Sequence, residues 1–320
     1  MITVVGSLNM DLFIDVAQLP TPGETVVGKN LRCSPGGKGA NQASAIARLG
    51  HPVAMIGAVG RDASGDELIE TLGRQGTGVE AIARRDSAAT GTALIVLDTA
   101  GRNQIVIAAG ANGTLAAADI GGCAALFRRS RAVIAQLEIP LAAVEAALRA
   151  AREAGALAVL NPAPFVPGCD TLLPLCDWLL PNENEASRLA GFEVRDMDSA
   201  AHAARRLRDA TRGLNVLVTL GAAGAWLDTT DYAGHIPAFV AEAIDTVGAG
   251  DTFVGAFVTR LVEGAAPLEA ARYASAAAAI SVTRRGAQSG PTRAEADAFL
   301  RKGQPAGLPT DTDGAKSHSL

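Results

Sequence analysis

Along most of the chain, short β-branched runs alternate with alanine-rich stretches of helical spacing. The apolar runs, bounded by turn residues, predict strands at Ile2–Val5, Val53–Gly57, Ala132–Gln136, Ala156–Leu160, Trp178–Leu180, Val216–Thr219 and Gly224–Leu227. Helical periodicity predicts helices over Asn41–Leu49, Asp66–Gln75, Leu141–Glu153, Glu183–Leu189, Ser199–Ala210, Ala249–Glu263, Leu268–Thr283 and Thr292–Leu300. Such alternation implies an α/β fold, a mostly parallel sheet covered by helices on both faces.

Two regions break the pattern. Leu12 to Arg32 reads as extended, with turn signals at Pro20, Pro22-Gly23 and Gly28. Thr90 to Ala108 reads as a hairpin, Gly91–Leu97 and Gln104–Ala108, joined around Ala100-Gly101-Arg102-Asn103. The two regions, roughly 12–35 and 90–108, could pair as a small β-sheet lid over a cleft. The uncovered face of such a lid needs burial, which the lid of a second subunit could supply, so a homodimer through the lid is expected. The stretch 302–320 is rich in Gly, Pro, Thr, Asp and Ser and is expected to be a disordered tail beyond one folded unit at 1–301.

Composition narrows the partners. The chain has 320 residues, 48% hydrophobic and 19% charged, with a formal net charge of −5. That length can bury one large α/β core with an added subdomain. Mild acidity without a basic face argues against nucleic acid. The first residues form an apolar strand without a basic leader, and no apolar stretch is long enough to span a membrane, so a cytoplasmic protein without a membrane partner is expected. Four cysteines show no CxxC pair and four histidines no HExxH spacing, which leaves no signal for zinc.

The densest chemistry lies in Asp245-Thr246-Val247-Gly248-Ala249-Gly250-Asp251-Thr252-Phe253, at the start of a predicted helix. A helix start offers unpaired N–H groups and the positive end of the peptide dipoles. Glycines let an anion approach that backbone. A carboxylate beside an anion site is odd for binding alone, but apt if it takes a proton from a hydroxyl that then attacks a phosphate. A structural cap would need one Asp or Ser and not the glycines before it.

Other signals are weaker singly. Gly36-Gly37-Lys38-Gly39-Ala40-Asn41 opens a second helix but is neither a Walker A loop nor a dinucleotide fingerprint. It could lay a polyhydroxylated ligand against the backbone, with Lys38 and Asn41 bonding hydroxyls, or be a plain strand–helix turn. Asn9 and Asp11, two apart on an extended segment, point to one side and could grip vicinal hydroxyls, or be turn residues. Glu138 ends a strand where α/β sheets bind ligands, or caps the helix after Pro140. Asn182 and Glu185 have capping-box spacing, with a platform for the waters of a magnesium ion as the functional reading. Thr219 to Gly224, with Gly221 and Gly224, could admit a nucleotide or be a simple hairpin.

Together these segments resemble the signatures of the ribokinase-type (PfkB) carbohydrate kinases. The likeness includes Gly6-Ser7-Leu8-Asn9-Met10-Asp11, Pro20-Thr21-Pro22-Gly23-Glu24-Thr25, Gln136-Leu137-Glu138, Asn161-Pro162-Ala163-Pro164, Pro181-Asn182-Glu183 and Thr283-Arg284-Arg285-Gly286-Ala287-Gln288, and spans roughly 1–301 in the family's order. It implies a three-layer α/β/α core with a β-lid that pairs with another subunit's lid. It implies transfer of the γ-phosphate of ATP to the 5-hydroxyl of D-ribose, with Asp251 as catalytic base and the N–H groups of Ala249, Gly250 and Asp251, after Gly248, as anion hole. By the same resemblance Asn9, Asp11, Gly37, Lys38, Asn41 and Glu138 hold the sugar. Asn182, Thr219, Gly221, Gly224 and Gly250, with Ser275 near the adenine, line the nucleotide site. Glu185 joins the magnesium network. Potassium is implied at Asp245, Val247, Ser281, Arg284 and Gly286, largely through carbonyls, with Ser289 or Gly290 as final ligand. The alternatives are a related kinase for deoxyribose, fructose or a nucleoside, and a sugar-binding regulator that lost the chemistry. A dinucleotide-dependent oxidoreductase is disfavoured by the missing GxGxxG.

Overall fold

The computed structural model describes residues 1–100 and 102–302; the expected tail, 302–320, lies outside them apart from Lys302. The chain begins with β1 (Ile2–Val5), β2 (Asn9–Val16), β3 (Lys29–Gly36), α1 (Lys38–Arg48), β4 (Val53–Gly60), α2 (Ala63–Arg74) and β5 (Thr77–Arg85). It continues through β6 (Gly91–Asp98), β7 (Asn103–Ala108), α3 (Ala117–Gly121), α4 (Ala124–Phe127), β8 (Ala132–Ala135), α5 (Leu141–Glu153), β9 (Leu157–Leu160) and β10 (Trp178–Leu179). Then come α6 (Glu183–Ala190), α7 (Met197–Ala210), β11 (Asn215–Thr219), β12 (Ala225–Asp228), β13 (Ala233–Ile236), α8 (Ala249–Val262), α9 (Pro267–Ser281) and α10 (Arg293–Lys302).

Among the described residues, nine strands form one sheet in the order β13-β12-β11-β10-β9-β8-β1-β4-β5. Pairing is parallel from β5 to β11 and antiparallel at β11–β12 and β12–β13. The expected mostly parallel sheet is therefore present. Its strands bury both faces, and side chains alternate between them. Ile2, Val4, Met55 and Ile134 pack with α1, α2, α8 and α9; Val5, Ile56, Val133 and Ala135 pack with α3, α5 and α7. Two strands lie outside the sequence-based set, β5 and β13. Both are at sheet edges, and β5 intersperses its apolar residues with Glu80, Arg84 and Arg85, so no apolar run marks it.

The second sheet has the order β3-β2-β6-β7 and joins the two expected lid regions. Its centre is the parallel pair β2–β6, running in register from Asn9↔Gly91 to Val16↔Asp98. The lid strand β2 thus begins at Asn9, before the expected Leu12, and includes the buried polar pair Asn9 and Asp11. No helix among the described residues is long and apolar enough to cross a membrane.

Candidate active site

The carboxyl ends of β1, β8, β9, β10 and β11 open on the same side of the sheet. A cleft of about 1310 Å³ lies there under the lid, and Asn9, Asp11, Gly37, Lys38, Asn41 and Glu138 all line it, with Asp245, Val247, Gly248, Asp251 and Gly286 on its other wall.

The Gly36–Asn41 turn explains how these groups come so close. Gly37 caps α1 at φ 90°, and a Cβ there would lie 2.7 Å from the Asn9 nitrogen. An ordinary side chain would face both strain and collision. Glu138 does not cap α5, which has no side-chain cap. Its Oε2 instead accepts from Ser7 Oγ at 2.5 Å and from the Lys38 amide at 3.2 Å, at the mouth of α1. Asn9 Oδ1 accepts from Asn112 Nδ2 at 2.8 Å, while Asn112 clamps both backbone groups of Leu8.

Charge in the cleft is concentrated. Burial, then the neighbouring Glu138 and Asp251 carboxylates, push the Asp11 carboxyl up to about 7. Burial works to lower the Lys38 ammonium pKa, but Asp251, Glu138 and Glu185 outweigh it and raise it. Lys38 is thus a fixed cation among carboxylates.

Asp251 sits in the first turn of α8 and is buried to 8% exposure. It does not serve as a cap, since the N-cap is Gly248. Its oxygens instead accept from two amides of α1: Oδ2 from Asn41 Nδ2 and Oδ1 from Gln42 Nε2, both at 3.0 Å. Gly248 has φ 75°, and a Cβ there would lie 2.2 Å from the Ala287 carbonyl oxygen, so the turn is open to glycine alone. Among the described residues the Gly250 and Asp251 amides donate to no carbonyl, whereas the Ala249 amide donates to the Thr246 carbonyl at 3.2 Å. Two of the three anticipated anion-hole amides are therefore free, and Ala249 is spent on the turn itself.

Beside this loop, Asp245 accepts from the Val247 amide at 3.0 Å and the Gly286 amide at 2.9 Å. Ser289 Oγ donates to the Ser281 carbonyl at 3.2 Å. Among the anticipated cation-site residues, Asp245, Val247 and Gly286 are thus linked, and Ser281 and Ser289 form a separate pair. The Arg284 side chain turns away to Glu295 at 2.7 Å. The Gly290 carbonyl accepts from Arg48 Nε. No group of three or more His, Cys, Asp and Glu gathers as a metal site among the described residues.

The anticipated nucleotide residues lie apart from the cleft lining. Asn182 bridges Thr219 in parallel pairing at the ends of β10 and β11. Asn182 and Glu185 do form a capping box, through bonds of 2.9 Å in each direction, and burial, the leading cause, raises the Glu185 carboxyl to about 6. The Thr219–Gly224 segment is the turn of an antiparallel hairpin, in which a Cβ at Gly224 would meet the Ile236 carbonyl oxygen at 2.2 Å. Ser275 on α9 reaches the same neighbourhood, donating to the Pro237 carbonyl at 3.1 Å. Sequence reasoning passes over Gln42 and Asn112. The one signal for Gln42 is its place next to Asn41 in the helix that the glycines open; Asn112 has none.

Residues 1–294 match the family model described as pfkB family carbohydrate kinase. A ribokinase of Haemophilus influenzae is 43% identical over 301 residues, covering 93% of this chain and 98% of that protein. A deoxyribokinase of Salmonella typhi is 37% identical over 290 residues, covering 90% and 94%. The solved structure of Arabidopsis thaliana ribokinase complexed with ribose and ATP superposes with a TM-score of 0.85 at 33% identity, covering 94% of this chain and 98% of that one.

Proposed function

The chain belongs to the pfkB family of carbohydrate kinases, and on that premise we propose that it transfers the γ-phosphate of ATP to the 5-hydroxyl of D-ribose. The observation that carries the reading is the placement of Asp251. A buried carboxylate, held by two amides, stands at a helix start with free N–H groups and shares one cleft with Asn9, Asp11, Lys38, Asn41 and Glu138.

In this reading the sugar lies under the lid against that polar set, and closure excludes water. The 5-hydroxyl oxygen attacks the γ-phosphorus. A new O–P bond forms, the bond to the β-phosphate oxygen breaks, ADP leaves, and Asp251 accepts the hydroxyl proton. The Gly250 and Asp251 amides and the positive end of α8 stabilise charge on the transferring group. Asn182, Thr219, Gly221, Gly224 and Ser275 hold the nucleotide. Magnesium arriving with it would neutralise phosphate charge, with Glu185 helping to order its waters. A potassium ion would stiffen the anion-hole loop from the carbonyls of Val247, Ser281, Arg284 and Gly286 beside Asp245, with Ser289 or Gly290 as final ligand. We place the protein in the cytoplasm, as a homodimer through the lid, with the catalytic unit at 1–301.

The test is an ATP-consumption assay across ribose, 2-deoxyribose, fructose and nucleosides, with the product identified as the 5-phosphate. Ribose should be preferred over deoxyribose, since a buried polar group left unpaired costs about 1–3 kcal/mol. Preference for deoxyribose or a nucleoside would reassign the acceptor. Sugar binding without ATP turnover would make the protein a regulator.

A further inference from the structure

Gln42 follows Asn41 on α1, is 0% exposed and does not line the cleft. Its carboxamide nevertheless meets three polar side chains. Nε2 donates to Asp251 Oδ1 and Asn161 Oδ1, both at 3.0 Å, and Oε1 accepts from Gln136 Nε2 at 2.7 Å.

The direction of this relay follows by elimination. The Leu180 carbonyl can only accept, and Asn161 Nδ2 lies 2.8 Å from it. Asn161 therefore turns its oxygen to Gln42, and Gln42 must turn its NH₂ group to Asn161. That group has two protons, one for Asn161 and one for Asp251, and the Gln42 oxygen is left for Gln136. The relay is rooted in stiff backbone: Gln136, Asn161 and Leu180 directly follow β8, β9 and β10, which are neighbours in the sheet.

The two oxygens of Asp251 thus have different surroundings. Oδ1 faces the buried relay, while Oδ2 meets Asn41, which lines the cleft. We infer that Gln42 is a positioning residue for phosphoryl transfer, pinning Asp251 Oδ1 so that Oδ2 is the oxygen that takes the sugar proton. The inference rests on the reading of Asp251 as base. A base must lie within about 2.6–3.2 Å of the group it deprotonates. A misplacement of about 1 Å can cost on the order of 10²-fold in rate. A carboxylate free to turn about its Cβ–Cγ bond would meet that condition only part of the time.

The experiment compares Gln42→Leu, Asp251→Asn and the double variant. Gln42→Leu should lower kcat by about 10–100-fold, with ribose affinity by calorimetry and KM for ATP little changed. The double variant should be no slower than Asp251→Asn alone, because Gln42 acts only through Asp251. Gln42→Glu keeps the side-chain volume and an oxygen for Gln136, and donates to Asp251 only when protonated. Its kcat relative to the unmodified enzyme should rise as pH falls from about 8 to about 6, and this variant decides the matter if Gln42→Leu fails to fold. Unchanged kcat in Gln42→Leu beside an inactive Asp251→Asn overturns the inference alone. So does a further loss in the double variant, or a pH-independent ratio for Gln42→Glu. Near-normal turnover in Asp251→Asn overturns the base assignment, and the inference with it.

Discussion

At the junction of α1 and α8, polar side chains are buried and each is held by another. Gln42, Asn41 and Asp251 are interior groups whose shared bonds run to the ends of three strands. In the lid the terms are reversed. Leu31 and Val106 are each 66% exposed, and Leu94 faces Val106 across the β6–β7 pair. Buried polar groups are tolerated where donors find acceptors. An exposed apolar sheet face is stabilised when a partner covers it. The floor of the site is therefore built within one chain, although Asn41 Oδ1 and Gln136 Oε1 are buried without a partner there, whereas the lid presents an apolar face that a second chain would cover.

The largest expected effect strikes the floor. Asp251→Asn should lower kcat by on the order of 10²–10⁴, while calorimetric ribose affinity stays within a few-fold. A kcat within tenfold of the unmodified enzyme would mean that the held carboxylate is not the base. For the lid, Val106→Asp places a charge on the face turned from the cleft. Sedimentation should show a shift from dimer to monomer, with KM for ribose raised roughly tenfold, equivalent to about 1.4 kcal/mol. A monomer with unchanged KM would separate the proposed dimer contact of the lid from sugar binding.

Asp11 joins the two regions, and its effect is read in stability. Its carboxyl is held at about 7 against an ordinary 3.8, so across that interval the unfolded chain has lost a proton that the folded chain keeps. Stability from this group is full below the ordinary value and is lost as pH rises through about 7. Between pH 5 and pH 8, urea unfolding of Asp11→Asn should show a decline smaller by roughly 2 kcal/mol than that of the unmodified protein. An identical decline would place the titration elsewhere. The smallest effect is expected at the cation loop. Ser289→Ala should reduce the activation by potassium over sodium only a few-fold, because most of the proposed ligands are carbonyls; full loss of activation would make the side chain a ligand in its own right.

The sheet was legible where apolar runs are continuous, as in Ile2–Val5 and Ala132–Ala135, because buried parallel strands need apolar residues on both faces. β5 was hidden by its polar edge positions, while β2 was anticipated as extended chain and only its start was placed late, at Leu12 rather than Asn9. The glycine-rich helix starts declared themselves locally, since backbone demands at Gly37 and Gly248 are met by few residues. Gln42 and Asn112 did not. Their partners lie 209 and 103 residues away, and nothing in the residues around them records that distance.

The same distance governs when the enzyme becomes an enzyme. The carboxylate and the amides that orient it come from opposite ends of the chain, joined where Gly255 lets α8 approach Ala45 and Gln42 of α1 closely. On a ribosome, most of the sheet can form before α8 has been made, yet no chemistry can begin. Refolding should show the same lag, with far-UV ellipticity recovering ahead of turnover, because a contact so distant in sequence is among the slowest to close. An unfinished chain would then meet ATP without the proposed base in place to use it.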